Sequence, residues 1–380
     1  MSSDLKKVLI TGANGFIGKN LQLHLAERKN VQVVCFTREH TVNQLPRLLQ
    51  SVDFVFHLAG VNRPQDPKEF VIGNTNLTQA LCDAVAQVAI NSGRKVPVVC
   101  SSSIQAVCDN PYGQSKRAAE DALFALQRSH GVSVHVFRLP NVFGKWCKPN
   151  YNSAVATFCH NIARDLPIQI NDPAAPITLV YVDDLLDRFL QLMDGADAAL
   201  DADGFETVSP QYTTTVGELA RQIKAFHACR ATLMTERVGT GLVRALYSTY
   251  ISYLPPEKFV YSLHEHTDTR GVFVEMLKTH DSGQFSYFTA HPGVTRGGHY
   301  HHTKTEKFLV IKGRARFKFR QMQTGQKHEL ITTGDKPEIV ETVPGWTHDI
   351  TNIGTEDMVV MLWANEVFDR DRPDTFACPL

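Results

Sequence analysis

Charge of neither sign is in excess in this 380-residue chain. Lys and Arg together number 39, and so do Asp and Glu. No global field therefore draws the protein to nucleic acid or to an anionic membrane. No apolar run nears the roughly 20 residues that a bilayer-spanning helix needs. The opening "MSSDLKKVLITG" runs straight into a strand pattern, so no signal peptide is expected. The eight cysteines (35, 82, 100, 108, 147, 159, 229 and 378) show no CxxC and no paired spacing. Cys35 and Cys100 sit in apolar strand-like runs, where a thiol behaves as a small hydrophobe. A reducing, cytoplasmic setting is the expectation. Internal repeats and low-complexity tracts are missing too.

What is present divides the chain in two, as its length already favours. The first half alternates strand-like runs ("KVLITG", "VQVVCFTR", "DFVFHLAG", "VPVVCSSS", "VSVHVFRLP") with helical stretches such as 76–90 and 112–129. That alternation predicts a doubly wound parallel sheet covered on both faces. After the Pro-Pro of "SYLPPEKF" the texture changes. From about Phe259 onward, short runs rich in Val, Phe and Thr are separated by Gly-containing turns. This pattern predicts an all-β jelly-roll barrel. The expected layout is an α/β domain over 1–245, a linker over 246–260 and a barrel over 261–380.

Gly12, Gly15 and Gly18 follow the first strand and open a helix. Such a turn lets backbone approach a pyrophosphate and packs helix against sheet. The glycines alone would equally suit a plain βα turn. "YGQSK" at 112–116 adds weight, because Tyr112 and Lys116 share one helix face. An ammonium beside a phenol favours the phenolate and brings its pKa down toward working pH. Such a tyrosine can pass a proton to a carbonyl oxygen while hydride reaches its carbon. A serine of "SSS" (101–103) can bond the same oxygen. The bland alternative is a helix-start packing tyrosine and a solvated lysine.

Over roughly residues 5–245 the chain resembles the extended short-chain dehydrogenase/reductase family, through "TGANGFIG", "FHLAG", "NTNLTQAL", "SSS", "YGQSK", "RLPNVFG" and "YVDDL". The resemblance implies Ser103 (Ser102 the lesser choice), Tyr112 and Lys116 as the catalytic group. It implies a cofactor against Gly12, Asn14, Gly15, Phe16, Ile17, Gly18, Arg38, Leu58, Ala59, Gly60, Tyr112, Lys116 and Pro140. Substrate would meet Ser103 and Asn141. Where many relatives carry an acidic ribose ligand, this chain reads Thr37-Arg38, and a guanidinium suits a 2′-phosphate, so NADPH is expected. No arginine precedes "YVDD", which leaves the usual diphosphate grip unplaced.

In the second half, His299, His301, Glu306 and His348 are candidate metal ligands. His299 and His301 are two apart, so in a strand they face one way. Imidazole with carboxylate suits Zn, Mn, Fe, Ni or Co rather than Ca. His302 is expected to point the other way, into solvent. The spacing of Gly293, His299, His301, Glu306 and Gly313 resembles the first cupin motif, and Pro344, Gly345, His348 and Asn352 partly match the second. A metal-free cupin is the plainer alternative. "DTRGVFVE" (268–275) and "GVTRGGHYH" (293–301) also resemble the sugar 3,5-epimerases, whose imidazole base would coincide with His299.

The whole chain, with "LYSTYISYLPP" and "NEVFDRDRPDTF", resembles the CapF-type bifunctional enzymes of capsular polysaccharide synthesis. That resemblance implies C-3 epimerisation and then NADPH-dependent C-4 reduction of a UDP-linked 2-acetamido-2,6-dideoxy-hexos-4-ulose, a 4-keto-6-deoxy amino sugar. It further implies an L-talose product, one divalent metal per chain with zinc foremost, and a homodimer. A plain reductase carrying a non-catalytic barrel, or a nucleotide-sensing scaffold, would read similarly.

Overall fold

A computed structural model describes residues 5–268, 271–274, 277–279, 283–366 and 371–380. It divides into two compact units, residues 1–142 with 178–212, and residues 143–177 with 213–380.

The first unit is built on five parallel strands: β1 (Lys6–Thr11), β2 (Val31–Phe36), β3 (Phe54–His57), β4 (Val98–Ser103) and β5 (Val134–Leu139). Their order is β2-β1-β3-β4-β5. Every residue of β3 is buried, because a central parallel strand is covered by helices on both faces. One face packs Leu9, Val55, Val98 and Val136 against Leu81, Val85 and Leu123 of the flanking helices. Crossing from β1 to β3 brings the C-terminal ends of β1, β3 and β4 side by side, and ligands of such sheets bind outside those ends.

The second unit holds two five-stranded antiparallel sheets. One runs Val260–Ser262, Glu338–Glu341, Glu306–Lys312, Met358–Ala364, Gln284–Ala290; the other runs Lys327–Thr333, Arg314–Gln321, Trp346–Asn352, Thr295–Tyr300, Phe376–Ala377. This is the expected jelly-roll type of architecture. Along Arg314–Gln321 the alternation is strict: Ala315, Phe317, Phe319 and Gln321 are buried while the basic residues between them are not, the period of two that a strand with one core face requires.

Residues 246–260, read from sequence as a linker, carry the end of the Gly241–Ser252 helix and a 3₁₀ turn at Pro256–Lys258. Tyr247 and Tyr250 pack on Phe226, and Phe259 is fully buried edge-on to Phe319 and Trp346. The 268–275 stretch that resembles the 3,5-epimerases lies partly outside the described residues, as do positions 367–370 of "NEVFDRDRPDTF". Among the described residues, no helix is long and apolar enough to cross a membrane, and the cysteines are free thiols.

Candidate functional site

At the C-terminal ends of β1 to β3 a cleft of about 790 Å³ opens. Of the residues that the resemblance implies for a cofactor, Gly12, Asn14, Gly15, Arg38, Leu58, Ala59 and Gly60 line it. Phe36, Thr37, Glu39, His40, Ile72, Gly73 and Asn76 line it as well. Phe16, Ile17 and Gly18, in the first turn of the Phe16–Ala26 helix, lie outside that lining, as do Tyr112, Lys116 and, just after β5, Pro140. Gly12 has a φ of +70°, and a Cβ there would sit 2.6 Å from the backbone nitrogen of Ala59. Only glycine lets the first turn lie this close to the end of β3. Arg38 and His40 bring basic groups to the cleft beyond β2, with Glu39 between them.

Beside this cleft stands the Pro111–His130 helix. Asn110 caps it by accepting from the Gly113 N–H at 2.9 Å, and Pro111 fits its first position. Tyr112 therefore sits in the first turn, near enough to Ser103 for that hydroxyl to act on its phenol, with its ring 5.6 Å from that of Phe70. Ser103 ends β4, and its Oγ also accepts from the Gln105 N–H at 3.1 Å. Ser102, one residue earlier and so on the other face, donates to the buried Glu120. The alternation of β4 thus sets Ser103, not Ser102, beside the phenol.

Lys116 is buried one turn on from Tyr112, and its Nζ donates to the Ser101 carbonyl at 3.2 Å. A Cβ on Gly60 would come 3.1 Å from that Nζ. Burial lowers the Lys116 pKa against the upward pull of Cys100 and Glu120. Burial also raises the Tyr112 phenol, opposed by the neighbouring Ser103 hydroxyl. This corrects the expected lowering: desolvation dominates, and the ammonium is spent on the Ser101 carbonyl rather than on the phenol. A phenol kept protonated is a ready proton donor.

Sequence reasoning missed the polar layer beneath. Glu120 takes a fork of hydrogen bonds from Arg138 (Nε 3.1 Å to Oε1 and 3.2 Å to Oε2, Nη2 2.6 Å to Oε2). Its place one turn past Lys116 was the available signal. Asn74, from a wide π-helical turn at Val71–Asn76, accepts from the Val61 N–H at 2.7 Å and donates to Ser115 Oγ at 2.9 Å. His57 sits between Thr11 and Thr78 hydroxyls at 2.7 and 2.8 Å. Burial, with the Lys116 charge, pushes its pKa down to about 3. Asn141 is exposed and donates to the Thr178 carbonyl at 3.2 Å.

The second unit gathers the four predicted ligands. Ligand atoms of His299, His301, Glu306 and His348 lie within 4.8 Å of one another. His299 and His348 are register partners on adjacent strands, beyond a bulge between Gly297 and His299 that re-aims the chain. Glu306 opens a strand of the other sheet. His301 Nε2 is 3.1 Å from Glu306 Oε2, and His348 Nε2 is 3.5 Å from it. Neither ring nitrogen of the buried His348 has a hydrogen-bond partner. Burial and then the charges of His348 and His301 push His299 down to about 4. Burial works upward on Glu306, yet His301 and His348 hold it well below the carboxylate range. A buried carboxylate ringed by three imidazoles, one of them with neither ring nitrogen hydrogen-bonded, is a donor set that fits a divalent ion.

His302 departs from expectation. It does point away from the ligands, but it is buried, its ring 5.0 Å from Phe376 and 5.6 Å from Tyr300. The C-terminal segment covers that face where solvent was expected.

Residues 8–205 match the NAD dependent epimerase/dehydratase family, and residues 266–376 match the polysaccharide biosynthesis C-terminal domain. The chain is 64% identical over 372 residues to UDP-2-acetamido-2,6-beta-L-arabino-hexul-4-ose reductase of Pseudomonas aeruginosa, covering 98% of each chain. A crystal structure of capsular polysaccharide assembling protein CapF from Staphylococcus aureus is similar with a TM-score of 0.67 and 41% identity, over 98% of this chain and all of that one. CapF with the inhibitor 3-isopropenyl-tropolone gives 0.62 and 36%, at the same coverage.

Proposed function

Since the chain belongs to the NAD dependent epimerase/dehydratase family and to its CapF type, carrying the polysaccharide biosynthesis C-terminal domain, we propose that it inverts C-3 of a UDP-linked 2-acetamido-2,6-dideoxy-hexos-4-ulose and then reduces C-4. The coarse activity is reduction of a nucleotide-linked 4-keto sugar with a nicotinamide cofactor, in polysaccharide biosynthesis. The observation carrying it is the convergence of Ser103 at the end of β4 with Tyr112 and, one turn on, Lys116 in the first turns of the Pro111–His130 helix, beside the dinucleotide-sized cleft.

Bound nicotinamide supplies the hydride. Tyr112 gives its phenolic proton to the C-4 oxygen, and Ser103 donates a hydrogen bond to that oxygen. Lys116 holds positive charge near the phenolate left behind. Arg38, with His40, favours a 2′-phosphate and hence NADPH. Asn141 would lie beside the sugar.

In the barrel, here read as a cupin, His299, His301, Glu306 and His348 would hold one divalent ion, zinc foremost. Such an ion supplies positive charge that eases loss of a proton next to a ketone. The tropolone named with one CapF structure carries adjacent oxygens of the kind that chelate metals. Order follows from chemistry: reduction removes the acidity of the neighbouring C–H, so inversion precedes it. The relative's name gives an L-arabino 4-ketose, and reaching an L-talo alcohol from it needs inversion at C-3 as well as reduction at C-4. The domains are taken as reductase 1–245, linker 246–260 and cupin 261–380, the working form as a cytoplasmic homodimer, and the product as UDP-2-acetamido-2,6-dideoxy-L-talose, on the route to UDP-N-acetyl-L-fucosamine.

A second reading is a plain 4-keto reductase with a non-catalytic barrel, favoured by a relative's name that states reduction alone. NMR of the UDP-4-keto sugar in D2O, with enzyme and without NADPH, separates them. Deuterium entering at C-3 is expected. Its absence at saturating enzyme leaves the plain reductase.

A further inference from the structure

Between His301 and Glu306 the chain makes a short turn, and a residue far along the sequence holds it. Asp374 Oδ1 accepts from the His302 N–H at 2.9 Å. Its Oδ2 accepts from the N–H groups of Thr303 and Lys304, at 2.9 and 2.7 Å, and from the Thr303 hydroxyl at 2.9 Å. The Asp374 backbone carbonyl stands 2.6 Å from His301 Nδ1. A carbonyl accepts only, so Nδ1 carries a hydrogen, and Nε2, 3.1 Å from Glu306 Oε2, is the nitrogen turned toward the other candidate ligands. To make both sets of bonds Asp374 adopts a φ of +31°, a conformation rare for a residue with a side chain.

The far side of the turn is fixed independently. Ser248 donates to the Thr303 carbonyl at 2.5 Å, and Arg244 donates to the Thr303 hydroxyl. Asn365 Oδ1 accepts from the Thr305 N–H at 2.9 Å. Without Asp374 this turn would keep its outer ties but lose three of its backbone partners next to a ligand, together with whatever fixes the tautomer of His301.

We propose that Asp374 is a positioning residue of the metal centre, its carbonyl choosing the nitrogen that His301 offers and its carboxylate setting the path from His301 to Glu306. The inference rests on the reading that His299, His301, Glu306 and His348 bind one divalent ion. Groups that orient ligands in this way typically change metal affinity by about 10- to 100-fold.

The test is Co²⁺ binding by the full chain, followed by its visible absorption and by competition with a chelator. Asp374→Ala should weaken Co²⁺ by at least about tenfold and alter the band shape, while binding of NADPH stays as in the parent. Asp374→Asn keeps the size and one acceptor oxygen. It should fall between the two and carries the test should the alanine variant fail to fold. Affinity and spectrum unchanged in either folded variant, even with a lower melting temperature, would reduce Asp374 to a structural tie and overturn the proposal. The parent reading fails differently: His301→Ala would then bind Co²⁺ like the unmodified chain.

Discussion

The two candidate sites are assembled by opposite means. At the cofactor cleft, the groups come from strand ends and one helix start, close in sequence to glycines and caps that fix them: Gly12 against Ala59, Asn110 under Gly113, Ser103 at the edge of β4. Burial there suppresses charge, with Tyr112 raised, Lys116 lowered and His57 neutral. In the barrel, four side chains from both sheets converge and burial concentrates an ionised carboxylate among imidazoles. The first site keeps its phenol protonated beside a buried ammonium. The second keeps a carboxylate ionised among imidazoles, with the Lys304 ammonium 3.3 Å from it.

If that contrast is right, the sites should fail separately. Tyr112→Phe should cut NADPH-dependent reduction by at least about 10²-fold, with NADPH still bound, as followed by its fluorescence. Metal content and deuterium uptake at C-3 should be unaffected. Loss of uptake in that variant would mean one site rather than two.

His348→Ala should take metal content from about one ion per chain to near none by elemental analysis, and should stop C-3 deuterium uptake. Reduction of an already inverted substrate should persist. Uptake that survives metal removal would make the ion structural and assign the proton transfer to an unligated side chain.

Arg38→Asp should erase the preference for NADPH, a change of about 10- to 100-fold in relative kcat/KM, since a charge-assisted hydrogen bond contributes about 1.5–3 kcal/mol. Equal kcat/KM with both cofactors in the unmodified protein would remove Arg38 from cofactor choice.

The smallest effect concerns acid. His57 has a folded pKa of about 3 against an ordinary 6.5. The unfolded chain therefore takes up the proton first as pH falls. Its influence is absent above about pH 6.5 and drains stability from there down to about pH 3, by about 2 kcal/mol at pH 5. Urea midpoints of the reductase transition between pH 7 and 5 should fall less steeply in His57→Asn. An identical slope would show that other groups set the acid limit.

Both fold layers were legible because periodicity announces them: buried β3 inside alternating helices, and the one-in-two burial of "RARFKFRQ". That His299, His301, Glu306 and His348 come together was legible in the close spacing of the first three and in the separate Pro344–Asn352 pattern around His348. What stayed hidden were partners that meet through tertiary structure. Nothing in "RPDTF" marks Asp374, whose contacts lie some seventy residues away. Arg138 and Glu120 carry no motif of their own, and His302 looked like a surface residue because its cover, Phe376, is equally distant. The lowering expected for Tyr112 failed because pair spacing says nothing of desolvation.

The Val71–Asn76 turn carries a consequence in time. Its Ile72 and Gly73 face the cleft, Phe70 just before it touches the ring of Tyr112, and Asn74 ties it to the catalytic helix through Ser115. A dinucleotide bound in the cleft would rest on the same wall that packs against the phenol, so filling the cleft and holding Tyr112 in place would be one event rather than two.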